Sequence, residues 1–489
     1  MREFVLKKGP YMRSKQTTTK IMNAVFIALI PIILFTFFKN GIYPYYQGKV
    51  TLYGMVYPLV FIFVSVLTTV ITEYFMRRVV RKEKVSIKEL SYAILPGLFL
   101  SLVLPMWTPL FLLVLGGMVS ILIGKQLFGG FGKNWFNPAL VGALFVMICL
   151  NMFYPNYGGY LNSYEKDAIS KSTPLTNIKV VGQLGDYDSL VEPYGSLLDF
   201  FIGTTPGAVG ETSALLCILA FAYLVYKKSV KWKITLTYVL TVFGLCAFIG
   251  AFSNLGIWYP LFQVMSGGLL FGAIFMATDP VTSPMTPIGQ ILYGLSLGIL
   301  TVFIRYLTPY PEGVMVSILI MNLFTKPLDE IGAISRFHFE KCLPIFVILW
   351  VAIGGLGFYV GTKYQVEPPK LDEEGNQVEV VDKNFKVISK QTVGPTTTYV
   401  VTQLGYHGPI KAQVVFVNGV VSTYQILEQN ENQAIFQNII NANYLNNLVV
   451  IQNNLESADT ISGATVSSNA LIHLLENTIK DYQKSITQE

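Results

Sequence analysis

Two stretches of this 489-residue chain carry the same polar signature. DTISGATVSSNAL runs from Asp459 to Leu471 and DAISKSTPL from Asp167 to Leu175, and both contain Asp-x-Ile-Ser-x-x-Thr. The Thr465 and Thr173 hydroxyls are oxygens that can be esterified. A helix N-terminus lined by small residues is a ready anion site, because its free N–H groups and dipole favour a phosphate. Around Thr465 the small residues are Ser462, Gly463 and Ala464, so the chemistry on offer is a phosphoester to a phosphorylated cofactor. A modifying enzyme needs a short signature to find its target, and Asp459 with Ser462, or Asp167 with Ser170, would provide one. Local structure competes for the same residues. Ser462, Ser467 or Ser468 could cap the helix that follows, and Thr173-Pro174 favours extended backbone. Capping accounts for either copy alone, but not for the repetition.

The elements that hold these residues belong mostly to a membrane. Only 13% of the residues are charged and 52% are hydrophobic, whereas a soluble domain carries about 25% charged residues. No cleavable leader is expected, since no small-residue cleavage site follows the first apolar run. Apolar runs that could cross a bilayer lie near 22–38, 51–75, 107–124, 137–153, 232–253, 256–277, 288–306 and 343–361, with shorter ones at 91–104, 212–226 and 312–328. The expectation is a polytopic α-helical protein of about ten spans plus one anchor span. Pro96, Gly97 and Pro105, and the turn-forming Gly129, Gly130 and Gly132, interrupt the pattern. Irregular backbone at membrane depth belongs where it lines a cavity or is buried in protein.

Basic residues then orient the chain. With the N-terminus inside, the cytoplasmic segments of the first ten spans hold 21 Lys and Arg against 6 on the other side, Lys39 and Arg305 among the six. This pattern explains the net charge of +6 without nucleic acid, for which no basic patch interleaved with aromatics exists. It places the loop 154–211 outside, and the anchor span exports everything after residue 361. Both signatures therefore face the same compartment. From about Thr362 the chain is polar. Asn418-Gly419 between β-branched runs marks a hairpin, and Ala470, Leu471, Leu474, Leu475 and Ile479 mark an amphipathic helix. The expected organisation is a membrane domain over 1–330, a connector and anchor over 331–361, and an extracytoplasmic α+β domain over 362–489.

At these residues the chain resembles a known pair of proteins. DTISGATVSSNAL is similar to the flavinylation motif of the FMN-binding domain in the G subunit of Rnf complexes and the C subunit of the sodium-pumping NADH:quinone oxidoreductase. PYMRSKQTTTKIM (10–22), GGFGKNWFNPALVG (129–142), GETSALL (210–216), ATDPVTSPMTPIGQ (277–290) and YPEGVMVSILIMNLF (310–324) resemble the integral D subunit of Rnf, or the B subunit of the sodium pump. The resemblance implies the two chains fused, with covalent FMN on Thr465 and a second on Thr173. There Lys171 and Ser172 stand where the family has Gly and Ala. It further implies a riboflavin or quinone near Asn134, Asn137 and Pro138, partner subunits in the cell membrane, a flavin transferase, and electron relay coupled to Na⁺ or H⁺ movement.

Acidic groups at the edges of apolar runs are Glu73, Glu211, Asp279, Glu312 and Asp329. Junctional carboxylates are candidates for cation handling, and Asp279, in a Pro-rich break, leads Glu211 and Asp329. The single cysteines Cys149, Cys217, Cys246 and Cys342 and the dispersed histidines suit neither a cluster nor a metal site. Alternatives are flavin-based electron export without pumping, a quinone-reducing pump, and a solute transporter with an external binding domain.

Overall fold

The fold comes from a computed structural model that describes residues 17–86, 90–153, 175, 187–205, 207–210, 213–308, 312–335, 338, 340, 343–363, 385–404, 409–429, 437, 439–440, 443–452, 455 and 465–487. The chain divides into two compact units, meeting in sequence between residues 365 and 366.

The first unit is helical. Its apolar runs form α1 (Thr18–Tyr46), α2 (Leu52–Val80), α3 (Ser91–Val103), α4 (Leu110–Gln126) and α5 (Pro138–Phe153). After a short α6 (Leu197–Ile202) come α7 (Ala214–Tyr226), α8 (Trp232–Ala251), α9 (Trp258–Met265), α10 (Leu269–Met276), α11 (Pro287–Leu307) and α12 (Val314–Leu323). The polar-faced α13 (Thr325–Ser335) and the apolar α14 (Leu343–Lys363) complete it. Among the described residues, five helices (α1, α2, α8, α11, α14) are long and apolar enough to cross a bilayer, and α9 with α10 forms a bent pair at 64°. The runs 107–124 and 137–153, read from sequence as full length, give shorter helices. Prolines set their starts: Pro109 precedes α4 and Pro138 opens α5, where a missing N–H costs nothing.

Small residues and hydroxyls let the backbones approach closely. Gly97 of α3 and Gly117 of α4 lie against Ser65, Thr68 and Thr69 of α2, and Ser65 Oγ donates to Gly97 O at 2.7 Å. The same device recurs later, where Gly294 and Gly298 of α11 lie against Thr237 and Thr241 of α8. Among the described residues, four helices contain one π-helical turn each, at Phe38–Ile42, Met76–Val80, Leu122–Gln126 and Gly272–Met276. Such turns are rare and gather at functional places.

Two cations that the charge pattern counted on the outer side are buried. Lys39 sits in the first π-turn and donates to Thr205 O, while Thr36 Oγ1 donates to Val209 O at 2.7 Å. Gly210 N in turn bonds Leu102 O at 2.8 Å, so residues 207–210 run alongside the end of α3. Arg305 is buried within α11.

The second unit is an antiparallel sheet in the order β1-β2-β3-β4, formed by β1 (Lys386–Val393), β2 (Thr396–Leu404), β3 (Pro409–Val417) and β4 (Val420–Gln429). Asn418 and Gly419 both have positive φ, 51° and 85°, as the two-residue hairpin turn that matches strand twist requires. Ile410, Ala412, Val414 and Phe416 alternate along β3 and point inward. They meet α15 (Tyr444–Val450) and α16 (Thr465–Thr487). Leu471, Leu474 and Leu475 bury one stripe of α16, Tyr424 OH donates to Leu471 O at 2.9 Å, and Tyr482 stacks on Phe416 with ring centroids 4.1 Å apart.

Candidate functional site

Thr465 is the first residue of α16, a helix of 23 residues. The apolar stripe beginning at Ala470 and Leu471 fixes that end on the sheet. The first N–H groups of any helix lack intrahelical partners, and the dipole makes this end positive. A threonine there suits a phosphate ester. Asp459, Ser462, Gly463 and Ala464 lie outside the described residues, as do Asp167, Ser170, Thr173 and Glu211.

Asn137 caps α5, its Oδ1 accepting from Ala139 N at 3.1 Å, and its Nδ2 reaches Met276 O, in the last π-turn, at 3.5 Å. Asn322 of α12 joins it. With the amide turned so that oxygen meets donors and nitrogen meets acceptors, Oδ1 accepts from Asn137 N at 3.1 Å and Nδ2 faces Thr282 O at 3.2 Å and Tyr293 OH at 3.0 Å. Asn134 Nδ2 bonds Phe136 O at 3.0 Å, and Pro138 packs on Gly124. The Gly-rich turn thus meets the end of α10 through Asn137, and Asn322 links Asn137 to the 277–286 loop. Sequence spacing carried no sign of Asn322, 185 positions further along the chain than Asn137.

Asp279 and Asp329 are both engaged by that loop. Asp279 Oδ2 accepts from Thr282 N and Oγ1, each at 3.1 Å. Asp329 accepts from Met285 N at 2.8 Å, Thr286 N at 2.8 Å and Thr286 Oγ1 at 2.9 Å, pinning the start of α11. Lys231 Nζ donates to Ser283 O and Oγ, both at 2.8 Å. Burial pushes this lysine down to about 8, and the Asp279 and Asp329 charges act in the opposite direction.

Glu73 is spent differently. Its Oε1 lies 3.1 Å from Lys125 Nζ and its Oε2 accepts from Gln126 Nε2 at 2.7 Å, with both charged side chains 2% exposed. Lys125 and Gln126 belong to the π-turn of α4. Glu312 lies beside Gly267, at the break between α9 and α10. Among the described residues no three His, Cys, Asp or Glu side chains gather as a metal site.

Comparison with known proteins also finds two different parts in the chain. The chain belongs to the NQR2, RnfD, RnfE family, which matches residues 5–337, and an FMN-binding domain matches residues 405–480. It is a multi-pass membrane protein of that family. Over 338 residues it is 36% identical to the D subunit of the proton-translocating ferredoxin:NAD(+) oxidoreductase complex of Clostridium ljungdahlii, covering 68% of this chain and 96% of the relative. Over 329 residues it is 31% identical to the D subunit of the Na(+)-translocating ferredoxin:NAD(+) oxidoreductase complex of Acetobacterium woodii, covering 66% and 92%. The B subunit of the Na(+)-translocating NADH-quinone reductase of Chromohalobacter salexigens is 38% identical over 237 residues, covering 47% and 55%.

Proposed function

We propose that this chain is a subunit of an ion-translocating ferredoxin:NAD⁺ oxidoreductase complex of Rnf type, with its own FMN-bearing domain fused behind the membrane domain. One observation carries the reading. The family of the D subunit covers residues 5–337 and an FMN-binding domain covers residues 405–480 of the same polypeptide. The ferredoxin-linked relatives align over 96% and 92% of their length and the quinone reductase relative over 55%, which favours the Rnf branch.

In this reading Thr465 and Thr173 each carry FMN through a phosphoester made by a flavin transferase. Both face the outside of the cell membrane, with the N-terminus in the cytoplasm, ten spans in the membrane domain over 1–330 and an anchor at 343–361. FMN supplies the one- and two-electron redox chemistry. The protein's share is to fix where each flavin sits. Thr465 holds its phosphate at the positive end of α16, and partner subunits complete the route to the coupling ion, H⁺ or Na⁺. A riboflavin or quinone near Asn134, Asn137 and Pro138 belongs to the same reading, and Asp279, Glu211 and Asp329 are the acids proposed for the ion path.

In-gel flavin fluorescence of the denatured full chain, coexpressed with a flavin transferase, tests the assignment. Thr465→Val and Thr173→Val should each remove part of the signal and the double variant all of it. A wild-type chain with no fluorescence would overturn the proposal.

A further inference from the structure

Positive charge gathers on two segments of the membrane unit. The end of α2 and the residues after it carry Arg77, Arg78, Arg81, Lys82 and Lys84, and the Gly-rich turn after α4 carries Lys133. The fold brings these segments together. Arg81 Nη2 donates to Gln126 O, at the end of α4. A Cβ on Gly130 would lie 3.3 Å from Arg81 Nη1, and one on Gly129 would lie 3.0 Å from Lys133 Cδ and 3.9 Å from its Nζ. A guanidinium and an ammonium therefore lie against successive glycines of one turn. Acidic side chains leave this charge in place. Glu83 pairs with Arg77 at 2.9 Å, and among the described residues no salt bridge takes up Arg78, Arg81, Lys82, Lys84 or Lys133.

The neighbours of these cations are apolar and exposed. Leu127 is 71% exposed and Trp135 63%, and Val79 and Val80 at the end of α2 are exposed as well. Trp135 stacks on Phe128 with ring centroids 5.9 Å apart, so its ring is held at the surface. Cations beside exposed tryptophan and aliphatic side chains mark the level where headgroups meet acyl chains.

We infer that the end of α2 and the Gly129–Lys133 turn bind the headgroup of an anionic phospholipid. Arg81 and Lys133 take the phosphate, the guanidinium as a fork and the ammonium as a point charge. Arg78 and Lys82 strengthen the local attraction, and Leu127 and Trp135 meet the acyl chain. The exposed apolar neighbours select a lipid over a free phosphate or an acidic protein segment, since neither of those would cover them. The bound lipid ties the end of α2 to the turn that leads into Asn134 and Asn137. The site is independent of whether either threonine carries flavin.

The test uses the full chain purified in mild detergent. Native mass spectrometry with added phosphatidylglycerol, and separately with phosphatidylcholine, gives the affinity for the first bound lipid. Each cation at the headgroup contributes about fivefold, so two contacts favour phosphatidylglycerol by about thirtyfold. Arg81→Gln and Lys133→Gln should each remove about fivefold of that preference, and the double variant should remove nearly all of it. Lys227→Gln/Lys233→Gln, around the α7–α8 turn, should leave it unchanged. In bilayers, brominated phosphatidylglycerol should quench tryptophan fluorescence more than brominated phosphatidylcholine, and Trp135→Phe should remove that excess. Arg81 also holds Gln126, so Lys133→Gln, on an exposed side chain, decides the matter should Arg81→Gln fail to fold. Equal affinity of the wild type for the two lipids overturns the site, as does an equal loss in Lys227→Gln/Lys233→Gln. Displacement of bound phosphatidylglycerol by inorganic phosphate or by an oligoglutamate peptide overturns the lipid in favour of a free anion or an acidic protein partner.

Discussion

Lys125→Met should be among the most damaging single substitutions in the membrane unit. Lys125 and Glu73 are each 2% exposed and 3.1 Å apart. At an effective dielectric constant of about 20, two unit charges at that separation attract by about 5 kcal/mol. That gross attraction is offset by the desolvation of both ions, so deleting the pair as a whole costs little. Removing one partner is different, because it leaves a buried carboxylate with Gln126 as its remaining bond at 2.7 Å. Losses of about 3–5 kcal/mol are typical of such half-deletions, and replacing both partners by neutral residues of similar volume is often neutral or stabilising. The expected order is therefore wild type and Glu73→Gln/Lys125→Met close together, with Lys125→Met and Glu73→Gln well below. Unfolding of the purified chain in mild detergent, followed by intrinsic fluorescence against added denaturing detergent, gives the four values of the double-mutant cycle. A single variant within about 1 kcal/mol of wild type would refute the reasoning, since it would mean that water or another cation reaches Glu73.

Gly298→Val should disrupt the α8–α11 packing, because even a Cβ at Gly298 would come within 2.5 Å of Thr241 Cβ and 2.6 Å of its Cγ2. Overpacking of this kind costs about 1–3 kcal/mol, and the same unfolding assay would read it. A pH effect is expected at α6. Asp199 Oδ2 accepts from Ser196 N and Ser196 Oγ, each at 2.8 Å, and its Oδ1 from Thr204 Oγ1 at 2.9 Å. The Ser196 N–H and hydroxyl, followed by Thr204, hold its carboxyl below the usual 3.8. A depressed native pKa gives a contribution that is full above the ordinary carboxylate range and is lost as pH falls through the native value. Hydrogen exchange at residues 196–204 should therefore quicken relative to neighbouring helices in acid, and Asp199→Asn should abolish that pH dependence.

Local features were legible in the sequence because they depend on neighbouring residues. Asn418-Gly419 announced a hairpin, the spacing from Ala470 to Ile479 announced α16, and Gly129, Gly130 and Gly132 announced left-handed turns, with φ values of 106°, 97° and 82°. The apolar runs became helical, though Pro109 and Pro138 trimmed two of them and the run 256–277 is broken into α9 and α10, bent at 64°. Partnerships across long stretches of chain were not legible. Nothing near Glu73 foretells Lys125, nothing near Asn137 foretells Asn322, and nothing near Arg305, at the end of the run 288–306, foretells the Gln263 and Ser266 carbonyls that it bonds. The edge carboxylates illustrate the same limit. Sequence marks Asp329 as an acid at a membrane boundary, and only the fold shows it gripping Met285 and Thr286, just before α11.

The π-turns have a bearing on chain length. A π-turn is an α-helix with one surplus residue, and each residue advances a helix by about 100°. In α4 the surplus lies within Leu122–Gln126, the segment that presents Lys125 and Gln126 to Glu73. Deleting one residue there would heal the helix into a regular apolar rod, more conventional in its hydrogen bonding, and would swing the cation away from its carboxylate. The helix would shorten by only about 1.5 Å while the buried pair was lost. One-residue gaps at 38–42, 76–80, 122–126 and 272–276 should therefore be read as changes of facing, not of length.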